Sequence, residues 1–289
     1  MIMQKFDYQA PADLKEACQI MANYGDKAKL LAGGTDLLIA LKKNSISPSQ
    51  VVALDQVDEI KGLWSDDDGI YLGARTTAAE IADSNFGAAG QALAEAAAQV
   101  GSPLVRNLAT VGGNLVTAMP AADMAPPLLV MQAGVVLEKL GDNREIALDD
   151  FFVGPGQQLM LPEEILSLIF LPELPSGSGS AFEKLGVRKA LERSIVSVAA
   201  LITLADDGKT IQEARIALGA VAPTPMLAAA AGAGLCGKKA TKKNFSAAAK
   251  TTAQEARPRG LRTSAVYSRL MVEQLTMRAL TRAYAAASR

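Results

Sequence analysis

Two hydrophobic periods alternate along this chain. A period near 3.6 predicts a helix over 11–24, where Leu14, Ala17, Cys18 and Met21 share one face and Asp13 stands at the cap position. Short apolar runs over 29–31, 51–54 and 69–74 predict strands. Thr77 is placed to cap a helix over 78–82, and an alanine-rich helix over 91–99 ends at Gly101. After the apolar stretch 126–135, residues 135–139 and 165–171 read as strands. Pro175-Ser-Gly-Ser-Gly-Ser180 reads as a linker. Beyond it, runs over 195–204 and 211–221 flank Asp206-Asp207-Gly208 in a hairpin-like pair. Val266, Leu270, Met277, Leu280 and Tyr284 mark one face of a final long helix. The order is α+β: mixed strands and helices, a linker, then a sheet-plus-helices module.

Two glycine pairs interrupt this pattern in similar surroundings. Gly33-Gly34 lies in Leu31-Ala-Gly-Gly-Thr-Asp-Leu37, and Gly112-Gly113 lies in Thr110-Val-Gly-Gly-Asn-Leu115. Glycine permits close backbone approach and positive φ. Successive N–H groups in such a turn form an anion nest, and two distant nests suit one ligand with a diphosphate in its middle. Neither is a single-strand dinucleotide fingerprint or a Walker loop, because no G-x-G-x-x-G and no Gly-Lys-Ser/Thr is present. Read alone, each is better explained as a plain turn.

Composition narrows the chemistry. The 289 residues are 49% hydrophobic and 20% charged, enough for two domains with substantial cores. A net charge of −1 gives no whole-chain field for nucleic acid. No apolar run reaches the length of a membrane span. The first residues include Lys5 and Asp7 and no apolar h-region, so a cytoplasmic protein without signal peptide is expected. Cys18 and Cys236 are the only cysteines and suit a reducing compartment. No histidine is present, which removes Ser-His and Cys-His catalysis, and two cysteines cannot hold an iron–sulfur cluster. Redox chemistry here needs an organic cofactor.

A series of motifs then carries a resemblance across nearly the whole chain. After the two glycine loops come Pro120-Ala-Ala-Asp123, Phe151-Phe-Val-Gly-Pro-Gly156, Glu163-Glu-Ile-Leu166, Phe182-Glu-Lys-Leu-Gly-Val-Arg188 and Arg215-Ile-Ala-Leu-Gly-Ala-Val-Ala-Pro-Thr-Pro225. In this order they resemble the FAD-binding (medium) subunit of the molybdenum hydroxylases, the xanthine dehydrogenase and carbon monoxide dehydrogenase family. The resemblance implies a two-part FAD-binding domain of the vanillyl-alcohol-oxidase type over 1–175, with subdomains of about 1–55 and 56–175, and a C-terminal domain over 176–289.

It also implies site residues. Leu31, Ala32, Gly33, Gly34, Thr35, Asp36 and Leu37 would form one cofactor loop, and Ala109, Thr110, Gly112, Gly113, Asn114 and Val116 the other. Backbone N–H groups of both glycine pairs would bind the diphosphate of non-covalent FAD. Asp36 and Asp123 would repel that diphosphate; Asp123 suits a ribityl or ribose hydroxyl, and Asp36 suits bracing its own loop. Lys184 would place a cation near the flavin, while Leu166 and Val100 would pack on the ring system. No catalytic acid, base or metal ligand is expected on the chain.

The resemblance implies a relay. Molybdopterin would sit on a large partner subunit and [2Fe-2S] clusters on a small one, with electrons leaving through FAD to NAD or another acceptor, in a heterohexamer built as a dimer of trimers. A stand-alone flavin oxidase or reductase of the same superfold is the alternative, and a scaffold without flavin is a third reading. The reductive branch similar to 4-hydroxybenzoyl-CoA reductase carries an inserted cluster and its cysteines; this chain has neither. Lys238, Lys239, Lys242, Lys243, Lys250, Arg257, Arg259 and Arg262 form a basic stretch, read as a solvated face or a contact for an acidic partner. The family tends to carry an acidic residue and Val before Arg-x-Ser-x-x-Tyr-Arg, where this chain has Gly260-Leu261 before Arg262 and Ser268 after Tyr267.

Overall fold

The computed structural model describes residues 4–188, 190–260 and 262–289. It begins with a small parallel sheet in which Gln50–Ala53 lies between Asp7–Gln9 and Ala28–Leu31. Helix Leu14–Tyr24 makes the crossover between the two outer strands, and Asp13 caps it by accepting from the Glu16 N–H at 2.7 Å. Ala17, Cys18, Ile20 and Met21 bury the helix against Val52 and Leu54. The outer strand Ala28–Leu31 ends where the first glycine loop begins, so that loop leaves the carboxyl end of a parallel strand.

A five-stranded antiparallel sheet follows, in the order Leu63–Ser65, Gly69–Gly73, Ile165–Pro172, Gly134–Lys139, Asp142–Ala147. Its inner face carries the small helices of the middle of the chain. Thr77 caps Ala78–Ala82 in a capping box with Glu80. The alanine-rich helix runs Gly87–Ala97, starting four residues before the 91–99 expectation. Helix Ala125–Val130 is wholly buried, which accounts for the unbroken apolar stretch there.

The C-terminal sheet runs Ser178–Leu185, Val196–Leu204, Ile211–Gly219, Met226–Leu227, all antiparallel. Helices Lys242–Glu255 and Ala265–Ala287 cover one face. Its other face does not stand apart. Phe182, Ala199, Leu201 and Ala217 join the core of the preceding module, packing with Leu93, Leu128 and Leu129.

Two sequence expectations change here. The stretch 175–180 is not linker throughout, because Ser178, Gly179 and Ser180 are buried in the edge strand. Small residues are required there by contact: a Cβ on Gly179 would sit 2.2 Å from the Ala287 nitrogen and 2.5 Å from the Ala283 carbonyl. The Ser180 hydroxyl accepts from the Ala92 N–H at 2.9 Å. The final helix buries only part of the predicted face, with Leu280 buried and Met277 and Tyr284 packed partly against the core. Val266 and Leu270 are exposed, while Val272, Leu275, Ala279, Leu280, Ala283 and Ala286 are buried. Alanines let that face sit close on the sheet, and a pattern keyed on large residues misses them.

Gly179→Val is expected to lower the unfolding free energy by about 1–3 kcal/mol through overpacking, since a strand backbone and a helix backbone would both have to give. A urea titration of the purified chain measures this; an unchanged midpoint would show that the helix end moves off the strand freely.

Candidate functional site

The two glycine loops meet. A Cβ on Gly33 would lie 1.7 Å from the Leu108 carbonyl oxygen and 3.2 Å from the Ala109 nitrogen. No side chain larger than hydrogen fits, so Gly33 is what lets the first loop rest on the segment leading into the second. Gly34 has φ +70°, which reverses the chain into helix Leu37–Lys42.

The two loops differ in their hydrogen bonding. Among the described residues, the N–H groups of Gly33, Gly34, Thr35 and Asp36 donate to no protein acceptor. They form a run of unengaged donors before a helix start, an arrangement suited to an anion. Asp36 precedes this helix without a side-chain cap bond, so its carboxylate does not brace the loop as the sequence suggested.

The second glycine pair is not a turn between strands. Gly112 and Gly113 form the first turn of helix Val111–Val116, capped by Thr110. The Gly112 N–H donates to the Ala74 carbonyl at 2.9 Å, and the Gly113 N–H to the Thr110 hydroxyl at 3.1 Å. These two N–H groups are therefore not free phosphate donors, which corrects the symmetrical picture of two nests. Gly112 is needed for close packing on Ala74, whose Cβ would be 2.7 Å from an added one. Gly113 is different: an added Cβ would meet only the Thr110 hydroxyl, at 3.0 Å. Beside it, Asn114 Oδ1 is buried without a hydrogen-bond partner.

A third element is a buried ion pair. Lys184 Nζ donates to Asp123 Oδ2 at 2.5 Å, to the Gln99 carbonyl at 3.0 Å and to the Glu192 carbonyl at 3.2 Å. An ammonium has three donors, so all are used. Ser194 Oγ donates to Asp123 Oδ1. Both charged side chains are 7% exposed. Burial pushes the Asp123 carboxyl above its usual range, against the pull of the Lys184 ammonium and the Ser194 hydroxyl. Lys184 is thus paired within the protein and is not a solvated surface lysine. The Glu192 carboxylate accepts from Arg262 and from Arg188, the latter at 3.0 Å, and both hold it below its usual range.

The residues present fit a dinucleotide-sized cofactor: unengaged loop amides, an orphaned buried acceptor at Asn114, and a glycine whose missing side chain leaves space. Residues 4–174 match the family described as the FAD binding domain in molybdopterin dehydrogenase, and residues 180–283 match the CO dehydrogenase flavoprotein C-terminal domain. This chain belongs to that FAD-binding family. It is 32% identical to the carbon monoxide dehydrogenase medium chain of Hydrogenophaga pseudoflava, over 99% of each chain. It is 34% identical to a xanthine dehydrogenase FAD-binding subunit of Escherichia coli O157:H7, covering 76% of this chain and 75% of the other. Its fold superposes on a chain of carbon monoxide dehydrogenase from Hydrogenophaga pseudoflava with TM-score 0.93 at 33% identity, covering 99% of each. A chain of quinoline 2-oxidoreductase from Pseudomonas putida 86 gives TM-score 0.92 at 27% identity, over 100% of each. The chain is an oxidoreductase component with the mixed helix-and-sheet fold of this family.

The remaining sequence-derived positions fall around the loops. Leu31, Ala32 and Leu37 are half-buried, and Ala32 packs against the N-terminal core. Ala109 is buried, and Val116 and Val100 pack partly against the central core. Leu166 is buried beside a register shift in its strand. Sequence reasoning missed Gln99, Glu192 and Ser194. Two of the contacts are backbone carbonyls, which carry no residue signature, and Ser194 stands 71 residues from Asp123 with nothing local to mark it. Among the described residues, no cluster of His, Cys, Asp or Glu could hold a metal, and no helix is long and apolar enough to cross a membrane.

Asp123→Leu is expected to destabilise the chain by about 3–5 kcal/mol, because it strands a buried ammonium. Adding Lys184→Met should restore most of that loss. Chemical denaturation of the single and double variants measures both, and a double variant as weak as the single would show that the two charges do not act as a pair.

Proposed function

We propose that this chain is the FAD-carrying subunit of a multi-subunit molybdenum hydroxylase, relaying electrons from [2Fe-2S] clusters on a small partner subunit to NAD or another acceptor. The observation that carries this reading is the run of unengaged N–H groups over Gly33–Asp36, in a loop that rests on the segment leading into the helix of Gly113 and Asn114. FAD, when bound, supplies reversible one- and two-electron redox chemistry that no side chain here offers.

The amides of the first loop would hold the diphosphate, with the Thr35 hydroxyl in the same loop. The second loop supplies room at Gly113 and an acceptor at Asn114 for a ligand N–H or hydroxyl. Asp123 and Lys184 form a fixed dipolar floor between the two modules. Val100, which is half-buried, would give apolar surface for the ring system, while Leu166 lies buried in its strand. None of these groups is arranged to take a proton from an organic substrate, which supports assembly with a substrate-binding large subunit that carries molybdopterin. The names of the relatives, a medium chain and an FAD-binding subunit, support the same assembly, taken as a dimer of trimers. Free thiols at Cys18 and Cys236 support a cytoplasmic setting.

Gly113→Val and Gly33→Val separate binding from folding. Gly113→Val should abolish FAD binding while the apo chain keeps its melting point, because the added side chain enters space bounded only by Thr110. Gly33→Val should lower the melting point as well, since it collides with the Leu108 backbone. Saturating FAD should stabilise the wild type by roughly 3–4 kcal/mol at 100- to 1,000-fold excess over Kd. Acid precipitation should release all flavin to the supernatant. Undiminished FAD in Gly113→Val would place the cofactor elsewhere. Reduction of the flavin by an organic substrate in the isolated chain would replace the relay with a stand-alone oxidase.

A further inference from the structure

The ammonium of Lys184 reaches Asp123 from the edge strand Ser178–Leu185, and that strand is gripped two residues earlier. Glu95 Oε2 accepts from the Phe182 N–H at 3.0 Å. On the same residue, Arg282 Nη1 donates to the Phe182 carbonyl at 3.0 Å and to Glu183 Oε1 at 2.9 Å. Arg282 Nη2 closes the ring by donating to Glu95 Oε1, which also accepts from Gln91 Nε2 at 2.8 Å. Both backbone polar groups of one edge-strand residue are thus held, from helix Gly87–Ala97 on one side and helix Ala265–Ala287 on the other.

The spacing gives this grip a consequence. Glu95 holds Phe182, and Gln99, four residues further on, offers its carbonyl to Lys184, two residues further on. Glu95 lies near the end of helix Gly87–Ala97 and Gln99 in the turn just beyond it, so one short stretch of chain holds the strand at both Phe182 and Lys184. A strand slipped by one residue would turn Lys184 to the opposite face. Phe182, on the same face as Lys184, is buried in the central core and fixes the depth of the strand.

We propose that Glu95 and Arg282 are positioning residues for the cofactor site, setting the register in which Lys184 meets Asp123. This rests on the FAD reading above. It gives a task to an arginine on the final helix that touches none of the glycine loops.

The test compares two arginines that both cross between modules. Arg215 also ties the C-terminal sheet to the preceding module, through the Val130 carbonyl at 2.9 Å, but does not touch the edge strand. Full-length Arg282→Met and Arg215→Met are titrated with FAD by flavin fluorescence, and their absorption spectra are recorded at saturation. Arg282→Met should raise the FAD Kd by about tenfold and shift the flavin bands, whereas Arg215→Met should leave Kd and spectrum as in wild type. Arg282→Lys, which keeps the charge but loses the planar fork, should move both readouts in the same direction by less and serves if the methionine variant does not fold. Wild-type affinity and spectrum in the Arg282 variants would overturn the proposal, as would equal weakening in both methionine variants with unshifted bands. A wild-type chain that binds no FAD would overturn the flavin reading itself, and this inference with it.

Discussion

The ion pair between Asp123 and Lys184 is the constraint around which the two modules are arranged. Removing a carboxylate and an ammonium from water costs several kcal/mol per ion, and direct attraction offsets this only when the remaining hydrogen-bonding capacity is filled. Here it is filled. Lys184 spends its three donors on Asp123, Gln99 and Glu192, and Asp123 takes Ser194 on its second oxygen. Those partners come from the end of the alanine-rich helix, the segment before the buried helix Ala125–Val130, and the connection between two strands of the C-terminal sheet. The pair can be satisfied only when all three are in place. Charge satisfaction therefore adds a geometric requirement to the apolar packing of the modules.

Apolar packing supplies the bulk of the attraction in the same region. The C-terminal sheet contributes Phe182, Ala199, Leu201 and Ala217 to a core whose other members precede residue 175. Much of that contact is made by alanine and glycine, which let backbones approach closely. The same device recurs at the loops, where Gly33 meets the Leu108 carbonyl and Gly112 meets Ala74. Close backbone contact fixes loop geometry without occupying the space a ligand needs. It leaves the amides of the first loop directed to no protein acceptor, a state that is tolerated at a half-exposed loop and becomes useful when an anion arrives.

Some of this was legible in the sequence. Thr77 and Asp13 announce their helices by capping chemistry, and both caps form. The hairpin around Asp206-Asp207-Gly208 follows from two β-rich runs and a turn, and pairs as expected. The order of motifs identifies the family and the FAD-binding domain. What failed did so for physical reasons. Small buried residues resemble linker residues in composition, so Ser178–Ser180 read as a tether and turned out to be a strand pressed between two helices. Gly112-Gly113 has the composition of a turn, yet Thr110 capping makes it a helix start and engages its N–H groups. Arg262 looked like one more charge in a basic run, but it donates to Glu192 and to the Arg193 carbonyl, contacts that no local pattern reveals.

The chemistry of the site follows from what the chain withholds. The chain has no histidine, and its buried Asp123 carboxyl is paired with Lys184. Removing either charge of that pair would strand the other in a buried setting. The FAD-binding domain is thus built from close backbone contacts, a loop whose amides meet no protein acceptor, and one internally paired couple of charges where the C-terminal module joins it.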